Sequence, residues 1–261
     1  MHRLDSRPTY VYKYRTMADV MNVVRRRIQA APPTTAWTPY DFLDVGSRAA
    51  VDKSLQRLVA VGSLRRIGHG LYDRPGVNSL TKQALAPDYR QVLTALARRD
   101  QARMLVDGLT AANDLGLTTA VPARIIVHTD IRRRSIPLGN LTLEFRLTAP
   151  SKLYWAGRPA MRVVQALYWL KDLLASEPDS VLPRLAAIVA EPAIRKDLQS
   201  GLATLPAWMQ DVVRRLLGGG PANPHGTSVK TVAREPASRD TRRGKRSRRP
   251  NRSGRHPARR A

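Results

Sequence analysis

The chain has 261 residues, of which 43% are hydrophobic and none is cysteine. This length can form one large domain or two modest domains with tails, and the lack of cysteine excludes disulfide scaffolds, thiolate metal sites and cysteine nucleophiles. No apolar run approaches the ~18 residues of a membrane span, and the first residues lack the apolar core of a secretory signal. We therefore expect a soluble, cytoplasmic protein with no membrane partner.

The formal net charge is +25 at pH 7. Residues 221–261 hold thirteen Lys and Arg against two acids, a net +11, which leaves +14 for residues 1–220. Because basic clusters release counterions when they neutralise phosphates, this balance predicts a polyanionic partner. Residues 218–261 are also poor in apolar side chains, which predicts a disordered basic tail.

The first predicted helix spans residues 17–30, where Val20, Val24 and Ile28 recur at helical spacing. Residues 1–16 form an N-terminal arm to which we assign no function. Met17, at the start of the helix, is a candidate alternative translation start. A second, short helix is expected to follow the N-cap Thr38 and Pro39 and to end at Gly46.

The next predicted helix contains most of the candidate functional residues. Ser47 is a good N-cap, Val51, Leu55 and Leu58 form one apolar stripe, and Gly62 ends the helix. The opposite face is small, polar and mostly basic, and consists of Ala49, Lys53, Gln56, Arg57 and Ala60, with Arg48 and Asp52 on its flanks.

A predicted hairpin follows this helix. Residues 64–67 and 71–72 flank Gly68-His69-Gly70, whose glycines can take the positive φ of a tight turn. A basic helix followed by a short hairpin is typical of a winged helix-turn-helix, with the helix in the major groove and the wing on the DNA backbone. We therefore predict such a domain over residues 17–75; the alternative is a solvated basic helix that precedes an ordinary β-hairpin.

The rest of the chain predicts a second, mixed domain over residues 76–217, so the fold class is α+β. After a polar connector, a helix is expected from Pro87 to about Arg99, then an extended or loop stretch, then a short helix that Gly116 ends. Three strands near residues 124–147 are predicted to form a small antiparallel sheet. Further helices are expected over residues 159–174, 181–189, 194–202 and 207–217.

Catalytic chemistry is hard to find in this sequence. No histidine has the helical spacing of a zinc site, and no glycine-rich loop has the spacing of a phosphate cradle, so we predict no metal, no cofactor and no enzyme. His128 and Asp130 could be combined with Asp107 or Glu144 into an acid-base pair, but a hydrogen-bonded strand histidine is the preferred interpretation. Four aromatic residues are expected to pack in the core rather than to stack on bases; they are Tyr154, Trp155, Tyr168 and Trp169.

Two stretches resemble a known family. Residues 67–72, Ile-Gly-His-Gly-Leu-Tyr, and residues 111–122, Ala-Ala-Asn-Asp-Leu-Gly-Leu-Thr-Thr-Ala-Val-Pro, resemble the AbiEi-type antitoxins of bacterial toxin–antitoxin systems. The resemblance extends over about residues 17–217. It implies an N-terminal winged helix that represses its own operon, and a C-terminal domain that opposes a toxin similar to nucleotidyltransferases.

The leading hypothesis is therefore a DNA-binding antitoxin and autoregulator. Five residues are expected to face the major groove: Ser47, Arg48, Lys53, Gln56 and Arg57. Of these, Gln56 and Arg57 are able to contact base edges. Arg65, Arg66 and His69 are expected to hold the phosphate backbone. Two copies are expected to bind a repeated operator, and the residues that contact the toxin are unknown. The alternative is a stand-alone winged-helix regulator whose C-terminal domain senses a ligand or partner.

Overall fold

The computed structural model describes residues 16–218, so all but the last residue of the predicted N-terminal arm and all but the first residue of the predicted basic tail lie outside the described residues. We call residues 17–75 the N-terminal segment and residues 76–217 the C-terminal segment. The boundaries between the predicted domains stay predictions. The fold is α+β, with one antiparallel and one mixed sheet.

The N-terminal segment alternates helices with short strands. In chain order its elements are α1 (Met17–Ala30), β1 (Ala36–Trp37), a 3₁₀ turn (Pro39–Phe42), α2 (Arg48–Ala60), β2 (Arg65–Gly68) and β3 (Leu71–Asp73). The three strands pair antiparallel in the order β1-β3-β2, so the first strand lies beside the last.

Capping explains where the helices of this segment begin. Thr16 and Asp19 form a reciprocal capping box at the start of α1, and Thr38 and Asp41 form another at the 3₁₀ turn. The short helix expected after Thr38 is therefore a single 3₁₀ turn, shorter than predicted. The Ser47 Oγ accepts a hydrogen bond of 3.3 Å from the backbone N–H of Ala50, which caps α2 as predicted.

A small apolar core holds the N-terminal segment together. It consists of Val20, Val24, Ile28, Phe42, Val45, Val51, Leu55, Leu58, Leu64 and Tyr72. The buried stripes of α1 and α2 therefore face each other, as their helical spacing predicts. The packing leaves the opposite side of α2 facing water.

The C-terminal segment contains a four-stranded sheet and seven further helices among the described residues. In chain order they are α3 (Tyr89–Asp100), β4 (Met104–Val106), α4 (Gly108–Asp114), β5 (Arg124–Thr129), β6 (Ile136–Leu138), β7 (Leu141–Leu147), α5 (Met161–Trp169), α6 (Lys171–Ser176), α7 (Pro178–Val189), α8 (Pro192–Gly201) and α9 (Ala207–Leu216). None of the helices in residues 16–218 is long and apolar enough to cross a membrane.

The predicted three-stranded antiparallel sheet is wrong in both strand number and direction. The order is β4-β5-β7-β6, and β5 and β7 run parallel, with Arg124 opposite Thr142 and Thr129 opposite Leu147. β6 lies outside β7, so the chain can return to run beside β5 in the same direction. The stretch 104–106, expected to be extended or loop, joins the edge of the sheet as β4.

The two segments share apolar contacts. Ala36 and Leu71 from the N-terminal segment belong to the core of the C-terminal segment, and Ile67 packs against that core. The β2–β3 hairpin is therefore anchored on one side to α2 and on the other to the C-terminal segment.

Candidate nucleic-acid interface

The outward side of α2 carries three of the predicted site residues on one exposed face. Lys53, Gln56 and Arg57 are exposed, whereas Val51 and Leu55 on the opposite side are fully buried. Within residues 16–218, the three side chains make no hydrogen bond or ion pair with the rest of the chain. We call Lys53, Gln56 and Arg57 the α2 outer face; it offers two cations and one amide to a partner.

Arg48 lies on the flank of this face and is already engaged. Its Nε donates to the Asp52 Oδ2 at 2.9 Å, and its Cζ lies 5.1 Å from the centroid of the Tyr40 ring. Burial would lower the pKa of Arg48, but Asp52 and Tyr40 outweigh it and raise that pKa above its ordinary value. The guanidinium is thus oriented by neighbours on two sides.

The Arg65 guanidinium already has partners within the chain. Its Nε and Nη2 donate to the two carboxylate oxygens of Asp73 at 3.0 and 2.6 Å, and its Nη1 donates to the Leu85 carbonyl at 2.9 Å. The Asp73 side chain is fully buried, so Arg65 compensates a charge that water cannot reach. Its guanidinium therefore stabilises the hairpin, and the expected contact of Arg65 with the phosphate backbone stays a prediction.

The neighbouring Arg66 points the other way. In the antiparallel pairing Arg65 lies opposite Asp73, whereas Arg66 lies opposite Tyr72. Because successive strand residues alternate between faces, Arg66 is exposed, and its Nε makes one 3.3 Å hydrogen bond to the Gly68 carbonyl. The Arg66 side chain is therefore exposed and remains accessible to a partner.

The tip of the hairpin is held by an arginine that sequence reasoning missed. The Arg99 Nη1 donates to the carbonyls of His69 at 3.3 Å and Gly70 at 3.5 Å, while the His69 side chain is exposed. Gly70 has φ +60°, the positive value predicted for this turn. The position of Arg99 in the last turn of α3 gave no local signal of this contact, which joins residues thirty apart in sequence.

The four residues considered for an acid-base pair, His128, Asp130, Asp107 and Glu144, have separate hydrogen-bond or ion-pair partners. The His128 Nδ1 lies 3.1 Å from the Thr148 Oγ1, while Asp107 accepts hydrogen bonds from α4 and β5 and caps α4. Asp130 accepts from the Arg103 backbone N–H, and Glu144 pairs with an arginine. Burial, aided by the charge of Arg146, lowers the pKa of His128 below its ordinary value.

The stretch 111–122, which resembles AbiEi-type antitoxins, contributes Asp114 at the end of α4, and this residue has a structural role. The Asp114 carboxylate accepts hydrogen bonds from the Tyr89 hydroxyl, from Arg90 at 2.6 Å and from Arg162 at 2.9 Å. Burial alone would raise the pKa of Asp114, but these donors outweigh it and lower the pKa. For Tyr89, burial and then Asp114 raise the pKa above its ordinary value. Gly116 ends the helix with φ +66°, as expected.

A cavity of about 470 Å³ lies beside His128 in the C-terminal segment. Its walls include Tyr154, Trp155, Tyr168 and Gln165. Trp155 is buried, as predicted, but Tyr154, Tyr168 and Trp169 are 39%, 49% and 43% exposed, so the expectation that all four aromatic residues pack in the core is wrong. In residues 16–218, no three His, Cys, Asp or Glu side chains are grouped to hold a metal ion.

Comparison with known proteins gives one family match. A model described as a family of unknown function, DUF6088, matches residues 23–180. Neither a curated protein nor a solved structure matches the chain. The matched range contains α2, the hairpin and the mixed sheet.

Proposed function

The chain belongs to the DUF6088 family, because the family match covers more than half of the residues of the chain, and we propose a function for it. The protein is a DNA-binding regulator that uses a winged helix over residues 17–75. The proposal follows the order of elements: helix, strand, turn, helix, then a hairpin that returns beside the first strand. In such a domain the second long helix lies in the major groove, so α2 is the recognition helix and the β2–β3 hairpin is the wing.

The α2 outer face is the observation that carries the proposal. Lys53, Gln56 and Arg57 lie in one exposed patch, and their donors have no partner within residues 16–218, so the patch has two cations to offer to an anionic partner. Arg57 can bind guanine with two hydrogen bonds, and Gln56 can bind adenine in the same way. Arg66 and His69 on the hairpin are assigned to phosphates, while Ser47 and Arg48 lie at the entry to the groove.

The first test is binding of the full chain to the DNA upstream of its own gene, compared with a shuffled duplex of equal length. Arg57→Ala should weaken the specific complex by about 1 to 3 kcal/mol and reduce the preference for the upstream duplex, whereas Arg66→Ala should weaken both duplexes alike. Arg184→Ala, an exposed arginine on α7, serves as the control. Equal losses on both duplexes from Arg57→Ala and Arg66→Ala would contradict this assignment of roles.

The antitoxin part of the proposal rests on the resemblance to AbiEi-type antitoxins. The partner would be a nucleotidyltransferase-like toxin encoded next to this chain. Its test is growth of cells that express the neighbouring gene with the full chain or with Arg57→Ala. Rescue by both proteins, with repression lost only in the variant, is the expected outcome. A neighbour that is harmless alone, or that stays toxic beside the full chain, would exclude the antitoxin role.

A second candidate is a regulator without a toxin, whose C-terminal segment senses a small ligand. The cavity of about 470 Å³ beside His128 favours it, because its size and its mixture of aromatic, hydroxyl and amide groups suit a small polar ligand. A metabolite panel that shifts the melting temperature of the full chain, and loses that effect in Gln165→Ala, would support this candidate.

A further inference from the structure

The tip of the β2–β3 hairpin and the C-terminal segment enclose a cleft. The cleft has a volume of about 250 Å³; Ile67, Gly68, His69 and Leu71 line one side, and residues 133–137 line the other. β2 and β6 are in contact at this point, so the two sides belong to one packed surface. The cleft opens beside the exposed side chain of His69.

Three consecutive arginines at this cleft have different environments. Arg133 is half-buried, pairs with Asp100 and lies over the Phe145 ring at 5.6 Å, so it serves the fold. Arg132 and Arg134 are exposed and have no hydrogen bond or ion pair within the described residues. Of the two, Arg134 lines the cleft, with the exposed Ser135 beside it.

The cleft is held in shape by one carboxylate. The Asp100 carboxylate accepts hydrogen bonds from Arg99 at 2.7 Å and from Arg133, and Arg99 also donates to the His69 carbonyl. Burial would raise the pKa of Asp100, but the two arginines outweigh it and lower that pKa, so the acid stays ionised. Because Arg99 and Arg133 neutralise the charge of Asp100, the surface around Arg134 stays positively charged.

Resting on the proposed function, we propose that this cleft binds a DNA phosphate and that Arg134 extends the interface from the hairpin into the C-terminal segment. His69 and Arg134 approach the phosphate from opposite sides, and the Ser135 hydroxyl offers a further donor. Ile67 and Ile136 add apolar surface to the lining of the cleft, beside the charged and polar groups. Since Arg99 and Asp100 connect the two sides, the backbone of the cleft is held in place before binding, and only the exposed side chains need to be ordered.

The test measures the affinity of the full chain for the upstream and shuffled duplexes at several salt concentrations. Arg134→Ala should weaken both complexes by about five- to tenfold and reduce the slope of log K against log salt by about 1, because one phosphate contact is lost. The preference for the upstream duplex should persist, in contrast to Arg57→Ala. Arg184→Ala is the matched control, and an unchanged urea midpoint in Arg134→Ala verifies folding.

The outcomes separate this inference from the proposed function. If the unaltered chain binds no DNA, both fall together. If it binds DNA and Arg134→Ala has the same affinity and salt slope, the cleft is not a phosphate site while the winged-helix proposal stands. Unchanged DNA binding with weakened binding of poly-glutamate would assign Arg134 to an acidic protein surface and overturn the inference.

Discussion

The α2 outer face and the surroundings of Asp114 use basic side chains in opposite ways. On α2, Lys53 and Arg57 are exposed and form no ion pair within residues 16–218. In the C-terminal segment, Arg90 and Arg162 converge on a carboxylate whose side chain is only 4% exposed. The comparison teaches that the function of a basic residue depends on whether the fold places an acid opposite it.

Removal of the acid at the centre of the paired region is expected to have the largest effect. Asp114→Ala leaves Tyr89, Arg90 and Arg162 without their acceptor. Because both arginines are partly exposed, we expect a loss of about 2 to 3 kcal/mol in the free energy of unfolding, below the cost of breaking a fully buried pair. Urea unfolding measures it, with the exposed Asp172→Ala as control. An unchanged midpoint would show that the cluster contributes no stability.

The adjacent arginines of β2 repeat the comparison within two residues. Arg65→Ala leaves the buried Asp73 uncompensated and should cost about 1 to 3 kcal/mol in unfolding free energy. Arg66→Ala should change stability by less than about 0.5 kcal/mol and weaken DNA binding instead. Denaturant titration and DNA binding of both variants check this pair. Equal destabilisation by the two changes would contradict the separate roles.

Acid should weaken the paired region in a predictable direction. The pKa of Asp114 is lowered in the folded state, so its stabilisation is present above the unfolded value of about 3.9 and is lost as the pH falls through the folded pKa. Between pH 5 and pH 3 the unaltered chain should therefore lose more stability than Asp114→Ala. Urea midpoints at both pH values measure the difference, and equal losses would argue against the shift.

His128 should give the smallest effect. Burial and then the charge of Arg146 lower its pKa, so protonation disfavours the folded state. Stability therefore falls as the pH drops from about 6.5 through the folded pKa. An NMR titration of the His128 ring should have its midpoint below about 6.5, and Arg146→Ala should raise that midpoint. A midpoint above the ordinary value would contradict the assigned environment.

Much of the fold could be predicted because the position of a helix depends on residues that are close together in the sequence. Residues that share a helix face recur every three or four positions, and capping residues such as Ser47 mark the beginning. The α2 outer face was predicted in this way, and the structure places Lys53, Gln56 and Arg57 on it. Whether that face binds DNA stays a prediction.

Most of the helices, the turn at Gly70 and the basic face of α2 could be predicted, since each depends on residues close together in the chain; the helix expected over residues 159–174 is instead divided into α5 and α6. Three features could not be predicted in this way: the parallel direction of β5 and β7, the pairing of Arg65 with Asp73, and the contact of Arg99 with the hairpin beside Arg134. Strand direction and ion pairing depend on which distant segments meet, and that choice follows from burial of the shared apolar core rather than from any local pattern.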